Sequence, residues 1–276
     1  MRKTVFTNYF DSHVHTHNSP NSKHSVSYLC ESAINKGLIG FAVTDHFECD
    51  LSEQRYDLVI KNSVMDIKKA QISFADQLTL TCGIEIGQPL MNLTACNDIL
   101  SFTKYDYVIA SLHRDSMHEN HYVNTNFNDF SKKDIDLLVS TYFDDMLKTV
   151  EWAGFDVVGH FTYPSSLIEG VYKKIVDMTA YDEVVDEILK KIVQKGKGIE
   201  INTSGLRYDL NRCIPSIQYI KRFKELGGEL VTIGSDAHSA EELGEGIQKG
   251  MEMLKYLGFE YVTMYQQHQP RMLKIE

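Results

Sequence analysis

The segment Tyr9-Phe10-Asp11-Ser12-His13-Val14-His15 joins a short apolar run to two histidines. Six later apolar runs also end on or near a potential metal ligand: Phe41-Ala42-Val43-Thr44-Asp45-His46, Cys82-Gly83-Ile84-Glu85, Val108-Ile109-Ala110-Ser111-Leu112-His113, Val157-Val158-Gly159-His160, Gly198-Ile199-Glu200-Ile201-Asn202 and Val231-Thr232-Ile233-Gly234-Ser235-Asp236-Ala237-His238. Each run has the length and composition of a buried strand. Neighbouring strands of a parallel sheet bring their last residues to one face, so the pattern predicts a catalytic centre with several metal ions there.

Helical periodicity alternates with these strand-like runs. Apolar residues recur at three- and four-residue steps over 26–36, 133–153, 183–195, 216–226 and a last helix from Ser239, with Glu242 as its capping box, to Gly258. Seven strand and helix units in about 260 residues indicate a closed or nearly closed α/β barrel. An open doubly wound sheet is the alternative, although no GxGxxG motif follows the first strand. Substrate-binding loops are expected at 47–56, 88–104 and 114–132.

Composition restricts the partners and the compartment. The chain is 43% hydrophobic, carries a net charge of −10 and has no basic run, so a nucleic-acid polymer is not expected as partner. Five cysteines without a CxxC pair indicate reduced thiols rather than a disulfide framework. The sequence shows neither an apolar signal region nor a stretch of 18 apolar residues, which predicts a cytoplasmic protein without a membrane partner.

The spacing of the polar residues favours metal ligation. His13 and His15 lie two positions apart on a strand and therefore share a face, as do Asp236 and His238. Glu85 can bridge two metal ions with its two oxygens. Three further candidates each end a separate strand: His46, His113 and His160. Imidazole and carboxylate without thiolate suit two or three ions of Zn, Mn or Fe, which lower the pKa of a shared water and hold an anionic substrate.

A single histidine at a strand end is more often a capped polar residue than a ligand. Burying six histidines and two acids together without cations would be costly, so the whole set favours metal ions. The remaining histidines are predicted to be loop or surface residues: His17, His24, His118, His121 and His268.

Several segments resemble, in order, the motifs of the polymerase-and-histidinol-phosphatase (PHP) superfamily: Asp11-Ser12-His13-Val14-His15-Thr16, Thr44-Asp45-His46, Gly83-Ile84-Glu85, Ser111-Leu112-His113, Gly159-His160 and Gly234-Ser235-Asp236-Ala237-His238. The resemblance implies one domain over residues 1–276, a distorted seven-stranded (β/α) barrel with three metals at the C-terminal face of its strands. It implies three ligand sets: His13, His15, Glu85 and Asp236; Glu85, His113 and His160; and His46, His238 and one residue of the first loop.

The first-loop ligand departs from the family pattern. The superfamily usually places His or Asp six residues after the second histidine of the first motif, where this chain has Asn21. A neutral amide oxygen is a weaker ligand than carboxylate or imidazole. We therefore expect a weakly held third metal, with His24 as the alternative ligand from the same loop.

The stretch from Glu200 to Arg207 resembles the histidinol-phosphate phosphatase branch, and so does 215–238. The resemblance implies that Arg207 binds the substrate phosphate, and a guanidinium fork does match phosphate oxygens. The alternative is an ion pair of Arg207 with Glu200 or Asp209. Thr162 stands where this branch often has an acidic residue.

The expected reaction is hydrolysis of L-histidinol phosphate to L-histidinol and phosphate, with a metal-bridging hydroxide as nucleophile. Asp115, His118 and a metal-bound water remain open as the acid for the leaving oxygen. Glu48, Asp115 and Asp209 are candidates to meet the substrate's ammonium and imidazole. Two alternatives are a phosphoesterase for nucleotides or short oligonucleotides and a non-enzymatic, metal-bound regulatory module. The oligomeric state is left open.

Overall fold

A mostly parallel sheet forms the centre of the fold. The computed structural model describes residues 6–54 and 56–275. Within these residues, seven strands follow one another in chain order around the sheet: β1 (Phe10–Val14), β2 (Gly40–Val43), β4 (Thr79–Gly87), β5 (Tyr107–Ser111), β6 (Val157–Val158), β7 (Gly198–Asn202) and β8 (Val231–Gly234). A short strand, β3 (His46–Glu48), also pairs with β4 in parallel. Nearly all the strand residues are buried, as their apolar composition predicts.

The first and last of these strands meet, so the sheet nearly closes into a barrel. The amide of Asp236 donates to the carbonyl of His13 at 2.8 Å, and the amide of His15 donates to the carbonyl of Ala237 at 2.9 Å. Val14 and Ala237 form a parallel bridge. The predicted near-closed barrel is therefore confirmed, and the open-sheet alternative is wrong.

Helices surround the barrel. In the described residues they are α1 (Val26–Asn35), α2 (Tyr56–Ser73), α3 (Leu93–Phe102), α4 (Lys132–Trp152), α5 (Tyr163–Tyr172), α6 (Asp182–Gln194), α7 (Ile217–Glu225) and α8 (Ile247–Tyr256). The helices predicted at 26–36, 133–153, 183–195 and 216–226 correspond to α1, α4, α6 and α7. None of the described helices is long and apolar enough to cross a membrane.

A hairpin that the sequence did not reveal packs near the strand starts. Its strands are β9 (Tyr261–Gln266) and β10 (Gln269–Lys274), which pair antiparallel. Tyr265 stacks on Tyr107 with ring centroids 5.3 Å apart, and Met264 and Tyr265 share a buried cluster with Phe10 and Val157. The hairpin thus covers the N-terminal end of the barrel and leaves the C-terminal end to the loops.

Two sequence predictions about helices are wrong. The predicted loop 88–104 contains α3, which begins where the Asn92 side chain accepts from the amide of Ala95. The last helix begins at Ile247 rather than after Ser239, because Gly244 and Gly246 adopt left-handed backbone angles of 75° and 79°. Glu242 accepts from the amide of His238 instead of completing a capping box.

The other two predicted loops differ from each other. Residues 114–132 contain only short 3-10 turns, at Tyr122–Asn124 and Phe127–Asp129, and form the predicted loop up to the start of α4. Within 47–56, β3 ends at Glu48 and a 3-10 segment follows at Cys49–Gln54, while residue 55 lies outside the described residues.

Gly40 gives a test of how closely β2 and β4 approach. A methyl group at Gly40 would collide with the backbone carbonyl of Thr79, which pairs with it in the sheet. Because a backbone carbonyl cannot rotate away, we expect Gly40→Ala to lower the free energy of unfolding by about 2–3 kcal/mol, the range of a severe overpacking. Chemical denaturation measures this, with Gly37→Ala as a spatial control, since its added methyl meets nothing within 4 Å and tests only the cost of a left-handed backbone. A Gly40→Ala chain as stable as the wild type would contradict the proposed close approach.

Candidate metal centre

The C-terminal end of the barrel gathers the predicted ligands. They come from β1, β3, β4 and the short segments that follow β1, β5, β6 and β8: His13, His15, His46, Glu85, His113, His160, Asp236 and His238. Two of them have positive backbone φ angles, 23° at His160 and 56° at Asp236. Such strained conformations persist where surrounding structure enforces them, and they cluster at functional sites.

Glu85 lies at the centre of the group. Its Oε2 is 3.3 Å from Nε2 of His13 and 2.8 Å from Nδ1 of His46. Its Oε1 is 3.0 Å from Nε2 of His160 and 3.3 Å from Nε2 of His113. One carboxylate therefore faces histidines from four different segments, the geometry expected of a bridging ligand.

Asp236 organises the other side of the cluster. Its Oδ1 lies 3.2 Å from Nε2 of His15, 3.8 Å from Nε2 of His13 and 3.7 Å from Nδ1 of His238. The ring of His15 stacks between those of His46 and His238, with centroids 4.2 Å apart in both pairs. Four sets in this region bring their ligand atoms within 4.8 Å of one another: His13, His15 and Asp236; Glu85, His113 and His160; His15, His46 and His238; and His46, Glu48 and His113.

Unpaired polar atoms show that these residues fit divalent cations. Among the described residues, Nε2 of His13, Nε2 of His15, Nδ1 of His46 and Oε2 of Glu85 are buried and form no hydrogen bond of good geometry, although the last two atoms lie 2.8 Å apart. Nε2 of His113 and Nε2 of His160 approach to 3.3 Å. Buried polar atoms are rarely left unpaired, and a cation satisfies several converging lone pairs at once.

The electrostatic environment favours the charged form of two carboxylates and the neutral form of one central imidazole. These are the forms that bind metal ions. Burial alone would raise the pKa of Glu85 and of Asp236, but the neighbouring histidines outweigh it and hold both pKa values well below the usual range. Burial and the adjacent His46 and His238 lower the pKa of His15 well below its usual value. For His13, burial is outweighed by nearby carboxylates, first Glu200 and then Glu85, which raise its pKa. The site thus attracts positive charge, and a bound cation replaces a proton there.

Glu48, one of the candidates to meet the substrate's ammonium or imidazole, is a buried member of the site. Its Oε1 lies 2.8 Å from Nδ1 of His113 and 3.3 Å from Nδ1 of His46, and Nε2 of Gln88 donates to its Oε2 at 2.9 Å. Its position on β3, two residues after His46, was the available signal, because such residues share a strand face.

A fifth cluster of ligand-type residues is filled by protein donors. Glu48, Asp50 and His121 lie close together. Nε2 of Gln88 donates to both carboxylates at 2.9 Å, and Nε of Arg114 lies 2.5 Å from Asp50. These donors occupy the lone pairs that a cation would need.

The prediction that His121 is a loop or surface residue is wrong in one respect. His121 does lie in the loop before Tyr122, but it lines the same cavity as the predicted ligands His113 and His160, and its Nε2 is 3.3 Å from Asp50. Sequence spacing gave no signal for this placement.

Of the two first-loop candidates, Asn21 lines the cavity and His24 does not. Asn21 has a left-handed backbone φ of 65° and lines the cavity. Nδ1 of His24 accepts from the amide of Ala240 at 3.0 Å, and its ring stacks on Tyr28. His24 belongs to none of the ligand sets among the described residues.

The other histidines lie away from the cluster. His118 is 2.8 Å from Asp115, which also accepts from the amides of Met117 and His118 and so orders its own loop. His268 pairs with Asp156 beside the hairpin, and His17 is exposed.

Arg207 lines the cavity, and two backbone carbonyls hold its guanidinium group in place. Its Nη1 donates to the carbonyl of Ser235 at 2.7 Å, and its Nη2 donates to that of Asp236 at 3.0 Å. The predicted alternative, an ion pair with Glu200 or Asp209, is wrong, because Glu200 faces His13 and Asp209 pairs with Lys173 at 2.9 Å. Each terminal nitrogen retains a second N–H, so the fork has donors left for an anion.

The cluster of predicted ligands forms part of the wall of an open cavity of about 490 Å³. Arg207 and Glu242 line it near Asp236, while aromatic and aliphatic side chains complete its rim: Tyr163, Tyr208, Val123, Leu167, Val171 and Leu210. This volume fits a small organic phosphate. The described residues that line the cavity do not include Asp115, His118 or Asp209.

Comparisons with known proteins agree with this geometry. A 27% identical relative in Thermotoga maritima, named "Probable histidinol-phosphatase", aligns over 92% of this chain and 94% of its own length. A histidinol-phosphatase of Lactococcus lactis is also 27% identical and aligns over 92% of this chain and 93% of its own length. The crystal structure of the Lactococcus lactis histidinol phosphate phosphatase, complexed with zinc, L-histidinol and phosphate, superposes with a TM-score of 0.77 at 21% identity and covers 96% of this chain and 99% of that one.

The range that matches a family model includes most of the sequence motifs quoted above. The PHP domain family model matches residues 11–204, from the first pair of histidines to the end of β7. This range includes six of the eight predicted ligands and excludes only Asp236 and His238. The chain belongs to the PHP domain family.

Proposed function

We propose that this chain is a metal-dependent phosphomonoesterase that hydrolyses L-histidinol phosphate to L-histidinol and phosphate. The observation that carries the proposal is the convergence of six histidines on Glu85 and Asp236, beside an arginine fork in the same cavity. Two relatives with histidinol-phosphatase names align over nearly their whole lengths, and the matching solved structure holds zinc, histidinol and phosphate. These findings favour this substrate over nucleotides.

The proposal assigns the ligands to two firm sites and one weaker site. His13, His15, Glu85 and Asp236 would hold the first ion, and Glu85, His113 and His160 the second. The third would be held by His46 and His238 with Asn21. Zinc is the favoured ion because the matching solved structure contains it. When bound, such cations act as Lewis acids toward phosphate oxygens and lower the pKa of water.

The chain's own side chains would bind and orient the ester. The two free N–H groups of the Arg207 fork would bind the phosphate, while its bonds to the carbonyls of Ser235 and Asp236 keep the guanidinium next to the metal ligands. Glu242 lines the same wall and is about one-third exposed, so it can face the substrate's ammonium group. Asp115 and His118 are not among the described residues that line the cavity, so neither would be placed to protonate the leaving oxygen.

Phosphate release tests the proposal. The zinc-loaded chain is assayed with L-histidinol phosphate beside nucleoside monophosphates and a short oligonucleotide, before and after chelation. We expect metal-dependent turnover of histidinol phosphate at a kcat/KM at least a hundredfold above that of any nucleotide. Faster hydrolysis of nucleotides would overturn the substrate, and no turnover by a metal-loaded chain would favour a regulatory module.

Asn21 gives a separate test of the third ion. We expect Asn21→Asp to raise the affinity for this ion about tenfold, because a charged oxygen binds cations better than an amide and Asp also tolerates a left-handed backbone. Zinc per chain after dialysis against a weak chelator measures the effect. Asn18→Asp, on the same loop, controls for added charge. Equal zinc retention in wild type and Asn21→Asp would argue against Asn21 as a ligand.

A further inference from the structure

We infer that Glu200 is a positioning residue that fixes the tautomer of His13 and connects the ligands of the first two metal sites. The inference rests on the metal centre proposed above and concerns a residue that is itself in no ligand set. It names the part of the structure that holds ligands from three separate segments in one arrangement.

The carboxylate of Glu200 is fully buried and is surrounded by donors from the site. Its Oε1 lies 2.6 Å from Nδ1 of His13. Its Oε2 accepts from the amide of His160 at 2.7 Å and from the side-chain amide of Asn202 at 3.2 Å. The same Asn202 nitrogen lies 3.2 Å from Oδ2 of Asp236. One buried acid therefore contacts β1, the end of β6 and, through Asn202, the end of β8.

The contact with His13 decides which ring nitrogen is available. A carboxylate only accepts hydrogen bonds, so Nδ1 of His13 must carry the proton in this contact. Nε2 is then the nitrogen left for a cation, which would replace the proton that the nearby carboxylates favour there. Among the described residues this atom is buried without a hydrogen-bond partner, and it faces Glu85. Carboxylates that hold a ligating imidazole from behind in this way fix its orientation and increase its basicity.

The contact with His160 acts on the backbone. His160 has a φ of 23°, a conformation that L residues rarely adopt, and its amide donates to Glu200. This hydrogen bond helps to hold the strained residue so that Nε2 points at Glu85 rather than away from it. Loss of Glu200 should therefore weaken both the site of His13 and the site of His160.

The close packing of Gly234 against His13 and Glu200 also indicates that the contact between these two residues is structurally important. Gly234 ends β8 directly beside the pair, and a methyl group there would collide with Cβ of His13 and with Oε1 of Glu200. No flexible atom could move to relieve the clash without breaking the His13–Glu200 bond. Gly234→Ala is thus an independent way to disturb the same contact without removing a charge.

Zinc affinity tests the inference without relying on turnover. The intact chain is titrated with zinc against a competing chromophoric chelator at neutral pH. We expect Glu200→Gln and Gly234→Ala each to weaken binding of two of the zinc ions by about 10- to 100-fold, the range seen for loss of such supporting contacts. Asp156→Asn is the matched control, because Asp156 is also a buried acid that binds a backbone amide and a histidine, but at the far end of the barrel. It should lose stability and keep wild-type zinc affinity.

A second measurement uses the wild type and does not depend on how the variants fold. In the zinc-loaded chain, nitrogen-15 NMR should show the proton of His13 on Nδ1, with the signal assigned by its loss in His13→Gln. Wild-type zinc affinity in folded Glu200→Gln, or a His13 ring whose Nδ1 lacks a proton, would overturn the inference. A wild-type chain that binds no zinc would overturn the metal centre as a whole and the inference with it. A chain that binds zinc without hydrolysing histidinol phosphate would contradict only the proposed substrate.

Discussion

Replacing Glu85 by glutamine is expected to remove at least 99.9% of the phosphatase activity and at least one metal ion per chain. Glu85 is the group that the first two proposed sites share, and its two oxygens face histidines from four segments. Glutamine keeps the size but loses the charge and one acceptor. Since bound cations contribute several kcal/mol to the stabilisation of a transition state, and each 1.4 kcal/mol is a factor of ten, a loss of about a thousandfold or more follows.

Ser111→Ala is the control for this variant. The hydroxyl of Ser111 donates to Oε1 of Glu85 at 2.7 Å, so its removal disturbs the carboxylate without neutralising it. We expect less than a tenfold loss of kcat and full metal content. Metal analysis, phosphate release and circular dichroism are measured on the same samples. A folded Glu85→Gln chain with more than a tenth of the wild-type kcat would mean that this carboxylate does not bridge metals.

Arg207→Ala is expected to lower kcat/KM by about a hundredfold to ten-thousandfold. Each hydrogen bond to a charged group contributes about 1.5–3 kcal/mol, and the fork has two N–H groups free for the phosphate. Arg207→Lys keeps the charge but lacks the planar fork, so its kcat/KM should exceed that of Arg207→Ala by less than tenfold. Steady-state phosphate release at saturating zinc gives both values, and metal analysis confirms that the ions remain bound.

Arg212→Ala is the matched control for the arginine. Arg212 lies in the same segment after β7 but forms an ion pair with Glu169 outside the cavity wall. It should change kcat/KM by less than twofold. If Arg207→Ala behaves like Arg212→Ala, the phosphate is bound elsewhere.

The sequence was sufficient to predict the barrel and the gathering of these polar side chains at one end of it, because each strand carries both signals together. An apolar run such as Val108 to Leu112 requires burial, and the polar residue directly after it, His113, must then lie at the strand's C-terminal end. The order of strands in a parallel barrel follows the order in the chain, so the polar ends meet without further information. The same reasoning places His160 and Asp236.

The errors arise where short-range patterns compete with tertiary contacts. Ser239 and Glu242 have the spacing of a capping box, but Glu242 accepts from the amide of His238, and Gly244 donates its amide to the buried Asp11. The turn that these contacts need delays the helix until Ile247. In the opposite direction, the sequence pattern predicts a loop where α3 forms, although Asn92 is a good cap.

The supporting groups of the site could not be located from spacing. Glu200 is a charged residue within an apolar strand, which marks it as unusual, yet only the structure shows that it faces His13 rather than Arg207. His121 and Gln88 reach the site from loops, whose course the sequence does not fix. The extent of the domain over residues 1–276, the cytoplasmic location and the absence of a nucleic-acid polymer as partner stay predictions.

Anomalous diffraction at the zinc absorption edge, from crystals of the zinc-loaded chain, tests the metal centre most directly. We expect two strong peaks on either side of the Glu85 carboxylate, one toward His13, His15 and Asp236 and one toward His113 and His160, with a weaker third peak among His46, His238 and Asn21. Peaks confined to other parts of the surface, or none within reach of Glu85, would contradict the account.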